Sequence, residues 1–216
     1  MTHRSEQIGS VEEKEILISK KMHESLKDEN FSSFNTVMLH PSITFDTQND
    51  NENIIILVRK AFVTNIGWII RAIIMVLIPI LIYPSILAAG FDPSDYLDSA
   101  LIILIIFGWY LFTYTISVME VYRWYYNVLM VTNERLIDID FNPMFRRRIS
   151  EANLENIEDV TETIPNFLGN IFNYGNLEIQ TAAEKREFEF LSAPRPTWLR
   201  DKIMDLASIR KNILED

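Results

Sequence analysis

The chain has 216 residues, 48% of them hydrophobic, with 30 Asp+Glu against 20 Lys+Arg, a formal charge of −10 and no cysteine. That length holds one compact domain with accessories, not two full-sized enzyme domains. The missing thiols exclude disulfide scaffolds, thiolate metal sites and a cysteine nucleophile. The negative balance argues against a nucleic-acid binder, which needs a basic face to displace counterions.

Residues 1–52 are polar, with ten acidic and five basic residues. Val11, Ile16, Met22 and Leu26 mark at most an interrupted amphipathic face. A disordered cytoplasmic tail is the expectation for 1–52. His3, His23 and His40 all lie in this part, so no imidazole is available further along as a base or metal ligand. Residues 1–30 contain no apolar h-region, and the hairpin that follows is expected to direct insertion itself.

Residues 53–121 read as a membrane hairpin, with spans at about 66–89 and 99–120. ENIIILVR (52–59) is a short extended or helical lead into it. The uncharged runs Ala72–Ala89 and Ala100–Met119 reach across most or all of a hydrocarbon core of roughly 30 Å. Pro79 and Pro84 interrupt the first span and need a partner helix or a local adjustment to satisfy the freed carbonyls. Thr113 and Ser117, one turn apart, are expected to face the first span.

No basic residue lies between Arg71 and Arg123, and the connecting loop holds Asp92, Asp95 and Asp98. The positive-inside rule then puts both termini in the cytoplasm and the acidic loop outside.

Residues 122–216 carry alternating patterns suited to six or more antiparallel strands. Ile137, Ile139 and Phe141 alternate with Asp138 and Asp140, as in a half-buried strand with its carboxylates in solvent. Glu178, Glu187 and Glu189 repeat that appearance. Further strands are expected over 125–131, 147–152 and 157–163, with turns at 132–135, 142–144 and 174–176. Leu199, Ile203, Leu206, Ile209 and Ile213 then recur at helical spacing, predicting a terminal helix over about 197–213.

This order resembles the bacterial pleckstrin-homology-like (bPH) membrane proteins of the YdbS type. The likeness is carried by ENIIILVRK (52–60), by WYYNVLMVTNERLIDID (124–140) with its Thr132-x-x-Arg135, by ISEANLENIEDV (149–160), and by FLGNIFNYGNLEIQTA (167–182). It covers roughly residues 45–210. What it implies is a two-helix transmembrane hairpin followed by a PH-like small β-barrel or sandwich of six to seven antiparallel strands, capped by a C-terminal α-helix. It also implies a bacterial cytoplasmic (inner) membrane location. The family has no agreed catalytic residues, and no cofactor or metal is expected.

One local feature invites a function. Met144 and Phe145 on a Pro-containing turn precede Arg146, Arg147 and Arg148, and Arg123 stands at the tether. Each such Arg near an anionic bilayer is worth about 1 kcal/mol. The plainer reading has Arg146 and Arg148 as exposed strand residues paired with acidic neighbours. Residues 122–216 hold 12 basic against 16 acidic side chains, which gives no strong basic pole. No P-loop, GxGxxG, HExxH or Ser–His arrangement is present. The expected function is a non-enzymatic, membrane-anchored scaffold that binds a protein partner or its own copies, with no nucleic acid. The alternative is an oligomeric two-span channel.

Overall fold

The structure, a computed structural model, describes residues 2–26, 36–49, 51–142, 146–182 and 187–215, with side chains for 14–26, 36–49, 51–142, 148–182 and 189–215. The chain divides into two compact units, residues 63–125 and the combination of 1–62 with 126–216.

The first unit is a helical hairpin of α2 (Ile66–Ala88) and α3 (Ser99–Tyr126), which follow α1 (Thr2–Ser25) in the chain. At 1.5 Å per residue they are about 34 and 42 Å long, against a hydrocarbon core of about 30 Å. Ile70, Ile73, Ile80 and Leu81 of α2 and Ile103, Leu104 and Phe107 of α3 point outward, each more than half exposed. Thr113 is the buried residue of α3, and α2 has none. Both helices are long and apolar enough to cross a membrane.

Proline chemistry ties the two helices together. Pro79 has no N–H for the carbonyl four residues back, that of Met75. Trp109 Nε1–H donates to this Met75 carbonyl at 2.8 Å, and the Tyr110 hydroxyl donates to the next one, Val76, at 3.3 Å. The neighbouring helix thus supplies the donors that a proline-interrupted helix calls for. The hydroxyls of Thr113 and Ser117 instead donate to their own helix, to Trp109 O at 2.9 Å and Thr113 O at 2.8 Å. Glu120 is shared by Arg71 (3.4 Å) and Arg123 (3.2 Å).

The second unit is built on two antiparallel sheets. β1 (Val37–Leu39), β2 (Ile54–Arg59), β3 (Val128–Thr132), β4 (Arg135–Asn142) and β5 (Arg146–Asn153) form one sheet in sequence order. β6 (Ile157–Thr163), β7 (Tyr174–Thr181) and β8 (Glu187–Pro194) form the other. A 3-10 turn at Leu154–Asn156 joins the sheets, α4 (Phe167–Phe172) connects β6 to β7, and α5 (Pro196–Glu215) follows β8. The helical stripe of α5 is apolar as expected, and Leu199, Ile203, Leu206 and Ile213 enter a core with Leu129, Leu136, Leu154, Leu177 and Ile179.

Three expectations need correction. First, residues 1–52 do not read as a bare tail. α1 (Thr2–Ser25) buries Ile18 and Met22, with Leu26 just beyond its end, in the same core as α5. Each such side chain contributes about 1.5–3 kcal/mol on burial. The spacing i, i+4, i+8 was masked because Ile16 and Leu17, beside Ile18, are exposed.

Second, the lead into the hairpin takes the extended of its two expected forms, as β2 paired to β1 and β3 and buried over Ile54–Val58, and it therefore belongs to the β unit and not to the hairpin. A continuous apolar run has no period to reveal its type. The helix of the second span also runs on through Tyr126, so the expected strand at 125 begins only at Val128.

Third, β4 is covered on both faces. Ile137 and Ile139 join Ile54, Leu57, Met130 and Phe45 in a separate apolar cluster. Leu136 and Leu129 belong to the main core, and Asp138, which pairs with Leu129, shares their face. The expected solvated face of Asp138 is therefore the inner one.

The resemblance motifs prove to be structural devices. Thr132 Oγ accepts from Glu134 N (3.1 Å) and Arg135 N (2.9 Å), locking the β3–β4 turn. Gly175 lies within β7 and not in a turn, where an added Cβ would fall 2.7 Å from the Thr163 carbonyl. The left-handed residue of this stretch is Asn173, two positions earlier (φ 52°).

Candidate functional site

The antiparallel register of β4 and β5 positions the basic run. Arg148 pairs with Asp140, Arg147 with Phe141 and Arg146 with Asn142. Consecutive positions of the run therefore belong to opposite faces of the sheet. Met144 and Phe145 lie outside the described residues, as do the side chains of Arg146 and Arg147. Arg123 belongs to the hairpin unit and pairs with Glu120. Among these candidates the described residues show one exposed cation on the β unit, Arg148.

Arg148 lines a cleft of about 380 Å³ with Lys60, Asn127, Asp138, Asp140 and Ser150, closed on the far side by Glu189, Phe190 and Leu191 of β8. The cleft sits where the two sheets part at one end of the unit. It forms because β4 carries Asp138 and Asp140 on the inward face, so the apolar core stops at Leu136 and Leu129 and a polar mouth begins. Asn127 is buried there, and its Oδ1 accepts from the Phe141 N–H. Burial, and then the charge of Asp140, push the Asp138 carboxyl up to about 6, against the opposing pull of Lys60 and Arg148.

Three carboxylates and two cations around one cleft suit a small polar or zwitterionic group. Among the described residues no group of three or more His, Asp or Glu could hold a metal ion. No imidazole or thiol lines the cleft.

The opposite end of the unit is closed. Glu52, 1% exposed, receives Arg135 Nε and Nη2, both at 2.9 Å, and the Thr132 hydroxyl at 2.8 Å. Arg135 also reaches Glu151 at 2.7 Å and the Thr47 carbonyl at 2.6 Å. Beside it Arg210 of α5 meets Glu15 of α1 (3.1 Å), Glu155 (3.3 Å) and the Asn133 carbonyl (2.7 Å). This network is a clamp and not a site, since each of its charged groups already has an ion-pair partner within it.

Sequence reasoning missed Lys60 and Asn127, which flank the hairpin and lie in stretches read for their fold alone. The signal present was the placement of two aspartates on a strand whose intervening residues are also apolar. No family model matches the chain, and no curated protein or solved structure matches it either. The fold and site define a coarse class: two helices of membrane-crossing length carried on an antiparallel β unit with a C-terminal helix.

Proposed function

We propose that the chain is a non-enzymatic, membrane-anchored interaction module: a PH-like β unit tethered by a two-span hairpin at the cytoplasmic face of a bacterial inner membrane, where it holds a protein partner or further copies of itself. The observation that carries this reading is the surface of α2 and α3. Water would wet an almost unbroken apolar area there, far larger than the few hundred Å² a soluble monomer tolerates. The Trp109–Met75 hydrogen bond fits lipid surroundings, where a freed carbonyl has no water to turn to. Four strands (β2–β5), three more (β6–β8) and a closing helix agree with the bPH resemblance, with β1 as an addition. The acidic loop at 90–99, opposite the basic flanks Arg59, Lys60, Arg71 and Arg123, supports the orientation.

Expression of the full chain in a bacterium, alkaline extraction of the membranes, and crosslinking before gentle solubilisation test this together. Retention in the membrane pellet with one reproducible crosslinked species is expected. A chain that washes off at alkaline pH, or one recovered only as an isolated monomer, overturns it.

A further inference from the structure

We propose that α4 is a foot by which the β unit rests on lipid: Phe167, Leu168, Ile171 and Phe172 enter the headgroup–acyl boundary of the same bilayer that holds α2 and α3. The inference rests on the membrane reading above and adds a second, peripheral contact with the bilayer.

Residues 164–173, IPNFLGNIFN, carry no formal charge in a chain with 50 charged side chains, 30 acidic and 20 basic. Phe167 is 75% exposed, Leu168 53%, Ile171 56% and Phe172 52%, with Ile164 beside them at 43%. The buried residue of α4 is Gly169. The side chains are held outward by construction. Asn166 Oδ1 accepts from Gly169 N at 2.7 Å, and the left-handed Asn173 ends the helix by donating its N–H to the Gly169 carbonyl. A Cβ on Gly169 would come within 2.8 Å of the Tyr174 carbonyl. The helix is thus pressed backbone-first onto β7, and its apolar side chains are left facing out. A continuous apolar patch of this kind marks a partner surface or a membrane.

Placement selects the membrane. The Asn173 carbonyl accepts from Arg195 N (2.8 Å), and three residues earlier the Ser192 carbonyl accepts from Ala61 N (2.8 Å). Ala61 lies one residue from the end of the β unit's first segment, after which the chain enters the hairpin. α4 therefore stands at the end of the β unit from which the chain departs for α2. From Ala61 to Ile66 are five Cα steps, at most about 18 Å. A bilayer that holds α2 lies within that reach at very high effective concentration, and a diffusing partner does not. The lack of charge in the patch also fits an interface entered through Phe and aliphatic side chains and not through phosphate pairing.

The chain has no cysteine, so one introduced cysteine is a unique probe site. The full chain is labelled with a polarity-sensitive fluorophore at Leu168→Cys, at Ile80→Cys in α2, or at Ser208→Cys on the exposed face of α5. Each is reconstituted in phosphatidylcholine vesicles with or without nitroxide-bearing acyl chains. Quenching of several-fold at Ile80 and Leu168, with less than a tenth of the signal lost at Ser208, is expected. Adding Phe167→Ser and Phe172→Ser should relieve quenching at Leu168 alone. Quenching at Ile80 without quenching at Leu168 overturns the foot and leaves the anchored reading standing. A Leu168 signal that changes with protein-to-lipid ratio and ignores the nitroxide means a second copy covers the patch, which also overturns it. No quenching at Ile80 removes the membrane reading and the foot together.

Discussion

The two ends of the β unit use the same residue types to opposite effect. At the closed end, burial alone would raise the Glu52 carboxyl, but the hydrogen bonds from Arg135, the Asn49 N–H and Thr132 outweigh it and the net direction is down. At the open end no such donor to Asp138 is found among the described residues, so burial and Asp140 win and its carboxyl rises to about 6. A buried carboxylate is structural when its lone pairs are filled, and it stays chemically available when they are not. The contrast lies in the partners that topology brings within reach.

The largest effect is expected at the closed end. Glu52→Gln takes the bidentate partner from the half-buried Arg135, which keeps Glu151, so the cost should lie near the lower end of that for breaking a buried pair, about 3 kcal/mol. Denaturant unfolding of the detergent-solubilised chain, followed by near-UV circular dichroism, should show the midpoint fall with m unchanged. The sign of the pH dependence follows from the lowered carboxyl. The contribution of Glu52 is present above its ordinary value of 4.5 and lost as pH falls through the folded-state value. A loss below about 1 kcal/mol would mean that the clamp is idle and the contrast between the ends is superficial.

Next in size is Gly175→Ala. The new methyl meets the Thr163 carbonyl at 2.7 Å and Pro196 Cγ at 3.2 Å, backbone and ring atoms that cannot swing aside. Overpacking of this kind costs about 1–3 kcal/mol, readable as a lower thermal midpoint. Because Gly175 sits where β7, β6 and the start of α5 converge, the loss should appear wherever the C-terminal helix is probed.

Asp138→Asn should move stability the other way. A carboxyl raised from 3.8 to about 6 favours the protonated folded state, so its penalty is absent near pH 4 and grows until pH exceeds about 6. Two units correspond to about 3 kcal/mol at full burial, and partial solvent access reduces that to about 1–2 kcal/mol. The variant should be more stable than the parent at pH 7.5 by that amount and equal to it at pH 4. A parent and variant that track each other across this range would erase the difference between the two ends.

Much of this was legible in the chain itself. The two long apolar helices announced themselves because 18 and 20 residues pass without a formal charge, and α5 did because its stripe is complete. The boundary of β6 falls where alternation put it, at Ile157–Thr163. What stayed hidden depends on long-range partners. Ile18, Met22 and Leu26 bury only because α5 offers a facing surface, with Arg210 reaching across to Glu15. Ile54–Val58 joins the sheet through a strand that lies some seventy residues further on, beyond the whole hairpin. Asp138 was misassigned because alternation tells which residues share a face and not which face is inner once Phe45 covers the other. The apolar residues of α4 carry no period that separates a helix from a loop, so their exposure became visible only in three dimensions.

The smallest effect concerns the one basic candidate that faces the cleft. Arg148→Gln removes an exposed side chain opposite Asp140, so folding stability at neutral pH should move by no more than about 0.5 kcal/mol. Its signature is electrostatic. Arg148 is one of two cations that hold the Asp138 carboxyl down, and without it that carboxyl should titrate higher than about 6. Carbon-13 NMR of the Asp138 carboxyl, followed from pH 4 to 8, reads this directly. A shift upward in the variant assigns Arg148 to the electrostatics of the cleft, as the plainer reading of the arginine run holds. If the titration is unmoved while binding to anionic vesicles falls, Arg148 serves the lipid surface instead, and the open end of the unit is a membrane contact before it is a pocket.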